Sequence, residues 1–127
     1  MAMRLKRLSP WLPPLALMGV IFFFSAQPSL DSGLGAIDLI GRKVIHFAEY
    51  ALLTLLWWRP LSAVVGPRRA ALLAFLIASG YAATDELHQS FVEGRHASVI
   101  DWAIDSAGAA VAALRLRTGR SRERVAL

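Results

Sequence analysis

Four stretches of this chain are dominated by apolar residues. They run from about Leu8 to Ala26, from Lys43 to Val65, from Ala70 to Leu87 and from Ser98 to Leu116. A helix needs about 20 mostly apolar residues to cross the hydrocarbon core of a bilayer, with a lower limit near 17. The pattern therefore predicts an all-α protein, an integral membrane bundle of four transmembrane helices.

Two of these segments contain features that disturb a regular span. Three prolines lie in the first turns of the first segment, where a missing amide donor matters least. The second segment, measured from Lys43 to Trp58, reaches only about 24 Å at 1.5 Å per residue. We therefore expect it either to continue past Pro60 with a kink or to let the Arg59 side chain extend to the interface.

The composition agrees with a single membrane domain over residues 1–127. Hydrophobic residues make up 56% of the chain and its mean hydropathy is +0.49, whereas soluble domains are about 45–50% apolar. The chain has no cysteine, which excludes disulfides and thiolate metal sites. We predict no metal and no cofactor.

The basic residues suggest an orientation. The net charge is +5, but Lys and Arg flank the apolar segments and form no stripe with aromatic residues, so we expect membrane lipids and not nucleic acid as partners. Eleven of the 14 Lys and Arg residues lie in the N-terminus, the second loop and the basic tail 115–127. The positive-inside rule then places both termini in the cytoplasm. A cleaved signal peptide is the alternative for the first segment.

Eight of the nine acidic residues lie towards the opposite, outward ends of the segments, and only Glu123 lies on the cytoplasmic side. An ionised side chain at the bilayer centre costs about 2.5–3.5 kcal/mol, so polar residues within spans usually face a shared interior. This asymmetry predicts a polar site at the outer leaflet. The residues concerned are Lys43, His46, Glu49, Asp85, Glu86, Gln89, Asp101 and Asp105.

Four polar residues of the second segment share one helical face, because they are spaced i, i+4, i+7 and i+8. They are Arg42, His46, Glu49 and Tyr50. A histidine beside a glutamate fits a general base with an orienting carboxylate, half of a metal site, or a polar pair between helices. The sequence leaves these three interpretations open. His88 and His96 are expected to be exposed loop residues.

The start of the fourth segment also carries polar residues on one face. Asp101 and Asp105 are four residues apart and repel each other when both are ionised, so a proton, a cation or a basic side chain must relieve the repulsion. Ser98 is placed to cap this helix. Arg95 has a planar fork that matches phosphate or carboxylate, and the alternative is that it only ties the turn to Asp85 or Asp101.

Three stretches together resemble the VanZ-like family. They are Lys43-x-x-His46-Phe47-x-x-Tyr50, Asp85-Glu86-Leu87-His88-Gln89-x-Phe91, and Arg95-x-x-Ser98-x-x-Asp101-x-x-x-Asp105-x-x-Gly108. Phe24-Ser25 precedes them and belongs to the same resemblance. Members of this family are small membrane proteins named for an accessory protein that lowers susceptibility to the glycopeptide teicoplanin. The resemblance covers roughly residues 11–115 and implies a multi-pass protein of the bacterial inner membrane that is connected with the cell envelope.

The resemblance implies that nine residues occupy recurrent polar positions of the family, and the chemistry of the side chains suggests their roles. The nine are Lys43, His46, Tyr50, Asp85, Glu86, Gln89, Arg95, Ser98 and Asp101. Asp105 departs from the pattern, which has Asn at this position, and Glu49 lies outside the pattern. The candidate catalytic residues are His46, Glu86, Asp101 and Asp105. The candidate substrate-binding residues are Lys43, Tyr50, Asp85, Gln89, Arg95 and Ser98.

Three functions fit these residues. The first is an enzyme that acts on a lipid-linked or phosphate-bearing envelope molecule, with Arg95 and Lys43 binding the anion. His46 would transfer a proton, and Asp101 or Glu86 would be its orienting partner or a second acid or base. The second is a non-catalytic protein that binds a glycolipid, a peptidoglycan precursor or a glycopeptide drug. The third is a proton-coupled transporter or an assembly partner, for which four short helices without an inverted repeat would need a homo-oligomer.

Overall fold

The described part of the chain is entirely helical. The structure is a computed structural model that describes residues 9–26, 35–92 and 98–126. A 3₁₀ turn, Ser9–Trp11, leads into helix α1, and three longer helices follow; within the described ranges there is no strand. The helices are α1 Leu12–Ser25, α2 Ala36–Val65, α3 Pro67–Gln89 and α4 Val99–Ala126. The prediction of an all-α fold is confirmed.

Helices α2 and α4 are longer than the apolar segments that predicted them. Helix α2 begins at Ala36, seven residues before Lys43, and continues through Pro60 to Val65. Helix α4 continues to Ala126 and so includes most of the basic tail. Arginine is a good helix former, so a helix continues where its apolar pattern stops.

Helices α2, α3 and α4 pack against one another, and α1 lies against α2 and α3. Helix α3 contributes a buried stripe of small residues with a four-residue repeat. The stripe is Ala70, Ala74, Ala78 and Ala82. Small residues let helix backbones approach closely, as in membrane helix bundles. The core thus consists largely of close backbone contact, with Tyr50 and Leu53 as its large buried side chains.

The large apolar side chains point outward. Leu72, Leu76 and Leu87 on α3 are all more than half exposed, as are Phe22 and Phe23 on α1. Among the described helices, α3 alone is both long and apolar enough to cross a bilayer, while Ser9–Ser25 is apolar but shorter. An apolar exterior around small and polar interior residues is typical of helices surrounded by lipid.

Specific polar contacts fix α1 and α4 against α3. The Tyr81 hydroxyl donates to the Met18 carbonyl oxygen at 2.6 Å, and the Trp102 indole donates to the Ser79 carbonyl oxygen at 3.0 Å. The His88 ring stacks on Phe22 with centroids 4.6 Å apart. The prediction that His88 is an exposed loop residue is therefore wrong: it lies half-buried in the last turn of α3. His96 lies outside the described residues.

Helix α4 makes its closest approach to α2 at Gly108. A Cβ atom at this position would overlap the Phe47 carbonyl oxygen and lie 2.9 Å from the Phe47 carbonyl carbon. Backbone atoms have no rotamer with which to move aside, so only glycine allows this approach. The separation of α2 and α4 is therefore set by a single residue.

Replacing Gly108 with Ala should separate the two helices and lower the stability of the protein. Overpacking usually costs about 1–3 kcal/mol, and we expect a lower thermal midpoint in detergent for Gly108→Ala. Gly80→Ala is the matched control, because no atom lies within 4 Å of its added Cβ atom. Equal midpoints for the two variants would contradict this account of the α2–α4 contact.

Candidate functional site

A cavity of about 390 Å³ lies among α1, α2 and α3, close to the start of α2 and the end of α3. Its apolar wall comes from Ile21, Phe24 and Ile45. Its polar wall is formed by side chains from all three helices. These are Ser25, Arg42, His46, Glu49, Asp85 and Gln89.

His46 lies against a buried carboxylate from the fourth helix. Its Nδ1 atom is 3.2 Å from Asp105 Oδ1, and the Asp105 side chain is fully buried. Gly108 follows Asp105 by three residues, and Phe47 follows His46 directly. The close approach of Gly108 to Phe47 thus brings Asp105 behind the His46 ring. With Nδ1 facing Asp105, Nε2 is the nitrogen left for a molecule in the cavity.

Several buried polar atoms around the cavity have no hydrogen-bond partner in the described chain. They include Asp85 Oδ2, the Tyr50 hydroxyl, and His46 Nδ1 with both Asp105 carboxyl oxygens, because the 3.2 Å contact between His46 and Asp105 is an ion-pair approach without hydrogen-bond alignment. Ser25 and Tyr50 lie beside the Asp85 carboxyl group. Buried polar groups are nearly always paired, and leaving one unpaired costs about 1–3 kcal/mol. Buried polar atoms without an aligned partner are thus concentrated at and beside this cavity.

A second polar cluster joins α2, α3 and α4 beside the cavity. Lys43 Nζ lies 3.4 Å from Asp101 Oδ1, with both side chains about one third exposed. Glu86 Oε2 accepts from the Ser98 amide at 3.0 Å. The Ser98 hydroxyl in turn accepts from the Ile100 amide at 3.2 Å, as an N-capping residue does. None of these side chains lines the cavity.

A family model described as VanZ/LLP1 matches residues 11–118. The chain belongs to the VanZ/LLP1 family. No curated protein and no solved structure matches it. Family membership agrees with the resemblance carried by the three polar stretches, and it covers α1, α2, α3 and the part of α4 that packs against them.

The structure divides the predicted site residues of this VanZ/LLP1 protein into groups. His46, Asp85 and Gln89 line the cavity, and Tyr50 and Asp105 are buried next to it. The remaining described members form the second cluster, and Arg95 lies outside the described residues. That cluster is Lys43, Glu86, Ser98 and Asp101.

The repulsion expected between the two aspartates of α4 is relieved by two different partners. Asp101 faces Lys43 and Asp105 faces His46. The imidazole is therefore oriented by Asp105 and not by Asp101 or Glu86. In the described ranges, no three His, Asp or Glu side chains are grouped to hold a metal ion.

Three cavity residues lie outside the predicted catalytic and substrate-binding sets. Arg42 and Glu49 were placed on the His46 face by their helical spacing, and that spacing was the signal for them. Ser25 comes from α1, where it is a polar residue at the end of an apolar helix. Its position beside Asp85 depends on the packing of α1, so the sequence carried only a weak signal for it.

The His46 and Asp105 side chains should behave as one unit in unfolding experiments. Leaving a buried polar or charged group without its partner costs about 1–3 kcal/mol or more, whereas removing both members of a pair costs less. We expect His46→Leu to destabilise the protein strongly and the double variant His46→Leu/Asp105→Asn to recover much of the loss. Unfolding free energies in mixed micelles measure this cycle. Additive losses would show that the two groups do not interact.

Lys43→Met and Asp101→Asn provide the comparison. This pair is partly exposed, and exposed pairs usually contribute about 0–1 kcal/mol. Its coupling energy should be clearly smaller than that of His46 and Asp105.

Proposed function

We propose that this VanZ/LLP1 protein crosses the bacterial inner membrane four times, with both termini in the cytoplasm. The apolar exterior of the helices supports this proposal, as does the separation of charge along the bundle. Arg68, Arg69 and Arg117 lie at one end, whereas His46 and Asp85 lie towards the other. In this orientation the cavity faces the outer leaflet.

The cavity is suited to the polar part of a lipid-linked molecule of the cell envelope. Arg42 can bind a phosphate group, because its guanidinium fork matches phosphate oxygens. The carboxylates of Glu49 and Asp85, together with Gln89, can accept hydrogen bonds from sugar hydroxyls or amides. The apolar wall with Phe24 would lie beside the lipid part. One cavity thus offers surfaces for both halves of an amphipathic molecule.

The observation that carries the proposal is that Asp105 holds the Nδ1 side of a histidine whose ring lines this cavity. A carboxylate in this position fixes the ring and its tautomer and leaves Nε2 as a base. In a hydrolysis, Nε2 takes a proton from water, and the hydroxide oxygen bonds to the phosphorus or carbonyl carbon. The bond to the leaving oxygen breaks, and the imidazolium returns the proton to that oxygen.

A change in an exposed envelope lipid or precursor would alter the surface that glycopeptide antibiotics meet. We therefore extend the proposal to glycopeptide susceptibility as a downstream effect of the cavity. The support for this step is membership of the VanZ/LLP1 family together with the outward position proposed for the cavity.

The topology can be tested with single cysteines, because the chain has none of its own. Ser90 at the end of α3 and Thr118 on α4 are both exposed. In cells whose outer membrane is permeable, a membrane-impermeant maleimide should label Ser90→Cys directly and Thr118→Cys only after the inner membrane is opened. The opposite labelling pattern would show that the protein has the reverse orientation. Direct labelling of both cysteines would contradict the proposed topology.

The chemical role of His46 can be tested by mass spectrometry of envelope lipids from cells that express each variant. General acid–base catalysis contributes about 10²–10⁴-fold, so His46→Ala should reduce a wild-type-dependent product at least 100-fold. Thr84→Ala is the control, because Thr84 is exposed and bonds only within its own helix.

Three results would count against this role. They are equal product with His46→Ala, retention of an unchanged lipid by the wild-type protein without conversion, and loss of product in the Thr84→Ala control. The second result would favour a non-catalytic binding protein. Variant protein levels in the membrane fraction, measured in parallel, separate loss of chemistry from loss of protein.

A further inference from the structure

A groove of about 230 Å³ lies between the first half of α3 and the second half of α4, away from the His46 cavity. Its apolar walls include Leu72 and Phe75 from α3 and Ala110 and Leu114 from α4. Leu72 and Leu114 are 60% and 61% exposed. Arg68 and Arg117 complete its lining. The groove therefore joins a strip of apolar surface to two positive charges.

A second hollow, of about 210 Å³, lies at the start of α3. Gly66 is the N-cap of this helix and provides no side-chain cap. The bond from the Ala70 amide to the Gly66 carbonyl oxygen is the first of the helix, so the Arg68 and Arg69 amides belong to the turn whose donors have no helical acceptor. Such a terminus favours a negative charge. Arg68 lines both the hollow and the groove.

We propose that an anionic phospholipid binds at this end of the bundle. Its phosphate would lie at the start of α3 between Arg68 and Arg117, and one acyl chain would follow the groove along Leu72, Phe75 and Leu114. Guanidinium groups and helix N-termini both bind phosphate, and the apolar walls match a hydrocarbon chain. In the proposed topology this end lies at the cytoplasmic leaflet, where anionic lipids attract basic residues.

Charge complementarity favours a lipid over a second copy of this chain. A symmetric dimer through the groove would bring Arg68 and Arg117 of one copy close to the same residues of the other, and like charges oppose such contact. Apart from Glu123 near the end of α4, the acidic residues of the described ranges all lie in the opposite half of the bundle. They are Asp38, Glu49, Asp85, Glu86, Asp101 and Asp105.

Native mass spectrometry of the full chain released from nanodiscs tests the proposal. We expect the wild-type protein to retain one phosphatidylglycerol in preference to phosphatidylcholine. A basic residue near an anionic surface contributes about fivefold in affinity, so Arg68→Gln/Arg117→Gln should weaken retention roughly 30-fold. Arg59→Gln/Arg115→Gln is the matched control, because it removes the same charge from exposed residues that line neither hollow.

Two further variants test whether lipid retention depends on the apolar groove and whether it is independent of the His46 cavity. Ala110→Phe should reduce retention by filling the groove while all arginines remain. His46→Ala should keep the bound lipid, because His46 belongs to the other cavity. Failure of the lipid site and failure of the proposed acid–base role are thus distinguishable.

Four outcomes would overturn the proposal. They are equal retention of the two phospholipids, equal loss in the two double-arginine variants, displacement of the lipid by glycerol phosphate at the same concentration as by phosphatidylglycerol, and a dimer without bound lipid. Displacement by glycerol phosphate would indicate a site for a free phosphate ester. Helix content by circular dichroism and a single elution peak show that each variant is folded.

Discussion

The contact between Gly108 and the Phe47 backbone determines how the polar interior of this bundle is arranged. It brings α4 so close to α2 that Asp105, one turn earlier, lies against His46. A wider separation would leave a carboxylate buried without its partner, which is among the most expensive arrangements in an apolar environment. The close packing at Gly108 and the placement of the ionisable pair are therefore coupled, and His46, one member of that pair, lines the cavity.

The two polar clusters at the start of α2 contribute differently. Lys43 and Asp101 are partly exposed, so their pairing between α2 and α4 adds little stability. The Ser98 amide donates a hydrogen bond to the Glu86 carboxylate and so joins the end of α3 to the start of α4. The Ser98 hydroxyl caps α4. These four residues connect α2, α3 and α4 beside the cavity, whereas His46 and its neighbours line the cavity itself. Residues that look alike in sequence thus divide into a group that joins helices and a group that lines the cavity.

The sequence predicted the helices and the faces of α2 well, because both follow from local periodicity. The spacing of Arg42, His46 and Glu49 placed them on one face, and all three line the cavity. The sequence could not predict which aspartate faces His46, because Asp101 and Asp105 share one face of α4. The aspartate that reaches His46 depends on how α4 is rotated and translated against α2. His88 was misplaced for a related reason: its stacking on Phe22 requires the position of α1.

The carboxylate at position 105 gives this site a property that an amide would not. By resemblance, the family pattern has Asn here, whose side-chain oxygen can accept a hydrogen bond from neutral histidine equally well. When His46 takes a proton in the proposed reaction, an Asn here would leave the imidazolium without the carboxylate that contacts its Nδ1 side, and Glu49 and Asp85 in the cavity lining would be the remaining acidic neighbours. Asp105 would convert the same event into the formation of a neutral ion pair. This difference supports the proposed role of His46 in taking up a proton and returning it.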